Sequence, residues 1–112
     1  MSDNVTPLHE ARSFVLTEVA QERARQDDLW GEQNHPDGTG EDCPYQWRGM
    51  AVLAQLKANR AAEAGLLTWR DVLMEEFAEA MEAPTDELLR EELIQVAAVA
   101  AAWVEAIDRR PL

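Results

Sequence analysis

A helix opened by Thr85 or Asp86 and running to about Arg109, just short of Pro111, would carry Leu89, Leu93, Val96, Val99, Ala100, Trp103 and Ile107 on one stripe. A stripe that long has to lie against other apolar surface, and it commits this end of the chain to helix packing. Glu92 falls within the stripe, three residues after Leu89 and four before Val96, and Gln95 lies at its margin. A carboxylate on a buried helix face is costly unless it is paired, protonated or bound to a metal. Glu91 points away from the stripe and is expected in solvent.

The rest of the chain is punctuated in the same helical idiom. Thr6-Pro7 reads as an N-cap with proline at the first helical position, opening a helix to about Asp28. Residues 31–44, "GEQNHPDGTGEDCP", form a long loop by composition. A second helix is expected from Pro44 or Tyr45 to just before Gly65, which suits a C-cap. Thr68 and Asp71 have capping-box spacing, starting a third helix that ends at Ala83-Pro84. No segment alternates with a period of two over a useful length, and no internal repeat is visible. The expected fold is all-α: four helices in a bundle-like single domain spanning residues 1–112.

Charge and cysteine content remove several function classes. Ten Lys and Arg stand against 22 Asp and Glu, a net charge of −12, which argues against a nucleic-acid polymer as partner. Cys43 is the only cysteine, so neither an intrachain disulfide nor a multi-cysteine zinc site is expected. "MSDNVTPLHE" lacks the apolar core of a signal peptide, and "VAAVAAAWV" is too short to span a bilayer. A cytoplasmic protein with no membrane partner is the expectation. No Gly-x-x-x-x-Gly-Lys phosphate loop, Gly-x-Ser-x-Gly elbow or His-Glu-x-x-His metal motif is present.

The third helix is where acid concentrates. In "LMEEFAEAMEA" (73–83), Leu73, Met74, Phe77 and Met81 make the apolar face, with Glu75, Glu79 and Glu82 roughly opposite and Glu76 at the flank. Glu76 and Glu79, three apart, can bring their carboxylates together on one side, where they repel unless a cation intervenes. By itself this helix is also what a solvated acidic face looks like. On the first helix the stripe Leu8, Ala11, Val15, Val19 continues into Glu22, Gln26 and Trp30. That pattern fits either a helix passing from core into a cavity or one whose last turns leave the bundle.

"LMEEFAEAMEA" followed by "LLREELIQVAAVA" resembles the MazG-like, all-α nucleoside triphosphate pyrophosphohydrolases, whose signature is E-E-x-x-E on one helix and E-x-x-D at the start of the next. "ERARQDDLWGEQNHPDG" and "AAWVEAIDRR" resemble small relatives of the same group. Glu75, Glu76 and Glu79 match the first half, Glu92 matches the second, and Gln95 stands where the family has Asp. The resemblance implies Mg²⁺, or Mn²⁺, held by carboxylates, and hydrolysis of a (deoxy)nucleoside triphosphate to the monophosphate and pyrophosphate. It implies Glu76, Glu79 and Glu92, with Gln95, as metal ligands and Glu75 as an auxiliary ligand or base. It also implies assembly as a homodimer or homotetramer. Two departures mark the chain: the neutral Gln95, and an extra helix and long loop before E-E-x-x-E in place of the helix that usually follows E-x-x-D.

Further candidates for substrate contact are spread over the chain. His35 or Asp37 in the turn "HPDG" could touch base, phosphates or metal, with Trp30 stacking on the base or else plugging the core. Lys57 and Arg60, a turn apart, could meet phosphates, although such residues more often lie along apolar surface with their heads in water. Glu22 could complete the metal site, and Gln26 follows it on the same stripe. His9 is expected at the surface, and Cys43 has little case as a ligand. The alternative to an enzyme is a degenerate relative, a helical module for nucleotide binding or protein interaction.

Overall fold

The computed structural model describes residues 5–44 and 47–111, with the backbone alone for residues 5–7. The elements are α1 (Val5–Trp30), a 3-10 turn (Gly40–Asp42), α2 (Met50–Glu63), α3 (Trp69–Glu82) and α4 (Asp86–Asp108). No strand occurs among the described residues, as the absence of period-two patterning implied. None of the described helices is long and apolar enough to cross a membrane. The chain divides into two compact units: Pro36–Ala100, and Met1–His35 together with Ala101–Leu112.

Within Pro36–Ala100, the helix ends follow from local chemistry. Thr68 accepts a hydrogen bond from the Asp71 amide at 3.2 Å, and Asp71 accepts from the Thr68 amide at 3.1 Å, completing the expected capping box. Two bonds from Thr68 also hold the Asp71 carboxyl below its ordinary pKa. The α3–α4 link is short because Pro84 keeps Ala83 extended (φ −61°, ψ 125°) and Thr85 Oγ1 then accepts from the Leu88 amide at 3.2 Å. Gly65, at φ +74°, ends α2: its amide bonds Ala62 O at 3.1 Å while Leu66 N bonds Ala61 O at 2.7 Å, a Schellman pair.

Helix α2 starts later than expected. Tyr45, one of the two residues proposed to open it, lies outside the described residues, and the helix itself begins at Met50. Gly49 sits at φ +80° immediately before it, a left-handed conformation that breaks any helix continuing from upstream. Gly49 has no side chain to cap with, and Glu82 fills that role from the far end of α3. Its Oε1 accepts from the Gly49 amide at 2.6 Å and its Oε2 from the Ala51 amide at 3.0 Å. A carboxylate at a helix N-terminus satisfies orphan amides and meets the positive end of the dipole.

The core of this unit is built from small side chains. Ala54 and Ala58 of α2 and Ala78 and Ala80 of α3 are buried, the last two with no exposed surface. The α3–α4 seam is Ala80, Ala83 and Leu89, with Met81 and Val96 packed against them. Trp47 and Phe77 meet edge-on, centroids 5.3 Å apart at 75°, and so help fix the rotation of α3. The expected 31–44 loop contains the 3-10 turn, which packs on the end of α3: a Cβ on Gly40 would lie 3.1 Å from Ala83 O. Of the apolar face expected of α3, Leu73, Phe77 and Met81 are half-buried and Met74 is exposed, while full burial falls on the flanking Ala78 and Ala80. On α4, Leu89 is buried and Val96 half-buried as the stripe implies, whereas Leu93 is exposed.

In the other unit, α1 opens at Val5, one residue before the cap expected at Thr6, whose side chain is not among those described. Val15 and Glu105 are its buried side chains among the described residues.

The Glu82 cap generates a stability prediction. Glu82→Ala removes two charge-assisted bonds and should cost about 2 kcal/mol, against about 1 kcal/mol for Thr68→Ala at the exposed cap of α3. Urea unfolding followed by circular dichroism measures both. A Glu82→Ala midpoint equal to that of the unaltered protein would show that the cap contributes nothing.

Candidate metal centre

Helix geometry puts Glu76 and Glu79 on the same side of α3, and the short link to α4 returns Glu92 to that side. One carboxylate oxygen from each of the three lies within 4.8 Å of the others, and all three side chains are half-buried. Glu79 is therefore not on an open wet face. Helix α3 has α2 on one side and α4 on another, leaving its acidic positions at the flanks of two contacts rather than opposite a single one.

The electrostatics follow from that crowding. Burial and then a hydrogen bond shared with Glu92 push the Glu79 carboxyl up to about 7, with the charges of Glu76, Glu92 and Glu75 adding to it. Glu76 is raised as well, by burial first and then by the charges of Glu92 and Glu75. The buried Glu92 Oε2 has no hydrogen-bond partner among the described residues. Carboxylates only accept hydrogen bonds, so three of them this close need a shared proton or a cation. Oxygen donors in this number and type suit a hard divalent cation.

The other expected site residues are placed as follows. Glu75 is half-buried, one residue before Glu76, and its charge acts on both Glu76 and Glu79. Gln95 is exposed, one turn beyond Glu92. Glu22 and Gln26 do meet, but in a surface network: Arg25 Nη2 donates to Glu22 Oε2 at 2.6 Å and Gln26 Nε2 to the same oxygen at 3.2 Å. The bond from Arg25 is the main cause that holds the Glu22 carboxyl below its ordinary pKa. Trp30 is exposed at the end of α1, and the His35 ring bonds Gln33 at 3.1 Å. Asp37 lines an open groove with Asp86, Leu89, Arg90, Leu93 and Ile94. Lys57 and Arg60 are exposed on α2, and Lys57 helps keep Asp71 ionised. His9 is at the surface, and Cys43 is buried.

From the sequence Glu82 is part of the acidic face, and its bonds at the start of α2 are a carboxylate role that the pattern does not reveal. Its partners lie 31 and 33 residues away, beyond the reach of any local periodicity.

No family model, no curated protein and no solved structure matches the chain.

The raised carboxyl gives a pH prediction whose sign is set by linkage. A folded-state pKa near 7 against an ordinary 4.5 means the folded protein binds the proton more tightly. Stability from this group is present below about pH 4.5 and is lost as pH rises towards 7. In metal-free buffer, Glu79→Gln should therefore gain thermal stability over the unaltered protein as pH goes from 5 to 8, by roughly a few degrees in Tm. Identical melting curves for the two proteins across that range would refute the crowding.

Proposed function

We propose that Glu76, Glu79 and Glu92 hold a divalent cation, Mg²⁺ or Mn²⁺, and that the protein hydrolyses a (deoxy)nucleoside triphosphate to the monophosphate and pyrophosphate. The observation that carries the first half is the meeting of three carboxylates from two helices, with the buried Glu92 Oε2 lacking a donor among the described residues. The second half rests on the resemblance of E-E-x-x-E and E-x-x-Q to the MazG-like signature.

In this reading the bound cation offsets phosphate charge and lowers the pKa of a water. Glu76, Glu79 and Glu92 supply the negative charge that retains it. Glu75, beside Glu76 and half-buried, accepts the proton of the attacking water or adds a ligand. Lys57 and Arg60 are the candidates for phosphate contact. Within the same unit, Asp37 is the candidate for holding the rest of the nucleotide. Gln95 is a neutral carbonyl donor at the edge of the site, and the active form is a homodimer or homotetramer.

A second reading has its own observation. Gln95 is exposed and uncharged where the resembling enzymes carry Asp, which favours a module that binds a cation or nucleotide without turning it over.

Two measurements separate these readings. Calorimetric titration with Mn²⁺ should show binding that strengthens from pH 6 to pH 8, because Glu79 must shed its proton, and Glu92→Ala should weaken it at least about tenfold. Absence of Mn²⁺ binding at pH 8 sinks the metal assignment. Pyrophosphate release from a panel of canonical and modified dNTPs and NTPs with Mg²⁺ or Mn²⁺ tests the activity. Turnover abolished by Glu92→Ala supports the enzyme, and Mn²⁺ binding without turnover of any nucleotide supports the binding module.

A further inference from the structure

We draw no further inference here: the strongest candidate, the outward face of α2 where Val52, Leu53 and Leu56 stand exposed away from the buried Ala54 and Ala58, is an apolar face for which nothing in the structure shows what covers it.

Discussion

Ala78 and Ala80, with no surface left to solvent, are the constraint on which the Pro36–Ala100 unit depends. A methyl group is the largest side chain these contact positions carry, so neighbouring backbone can come close to α3 on more than one side. One side receives α2, and another receives the start of α4 through Ala80, Ala83 and Leu89. An acidic helix packed on two sides cannot keep all its carboxylates in water. Burial of those groups is thus a consequence of small residues elsewhere on the same helix.

The carboxylates drawn in this way meet opposite fates. Glu82 arrives at the N-terminus of α2, where two amides donate to it and the helix dipole favours its charge. The ionised form is the one stabilised, and the group acts as a strut between helices. Glu76, Glu79 and Glu92 meet one another instead, with no donor among the described residues for the buried Glu92 Oε2. There the ionised form is disfavoured, and Glu79 titrates near neutrality. A group of acids left in this state is one that a divalent cation can relieve, and that physical asymmetry sets the cluster apart from the other acidic residues of the chain.

Much of this was legible in the chain itself, for reasons that differ by residue. The Thr68–Asp71 box, the Pro84 break and the Gly65 stop act over a few residues, so reading them needed no knowledge of tertiary contacts. Glu92 was conspicuous because it sits between Leu89 and Val96, and both of those do pack inward. The start of α2 was misplaced because Gly49 is itself left-handed and leaves the capping to Glu82, a partner far along the chain. On α3, Leu73, Phe77 and Met81 turn inward as expected, but Met74 does not, because hydrophobicity ranks it above alanine while close helix contact favours Ala78 and Ala80. On α1, Glu22 and Gln26 from the polar end of the stripe bond each other and Arg25 bonds Glu22, contacts between neighbours three and four residues apart.

The amino-acid sequence by itself determined the helices, most of their ends and the spacing that makes Glu76, Glu79 and Glu92 a candidate set, because caps, breakers and periodicity are local. Only the tertiary structure decided which acids came together and which found donors. That depends on where α3 is approached by α2 and α4, and the approach is set by contacts at alanines whose partners lie far along the chain. The same 14-residue helix thereby holds a capping carboxylate at one position and an unrelieved pair one turn or two before it.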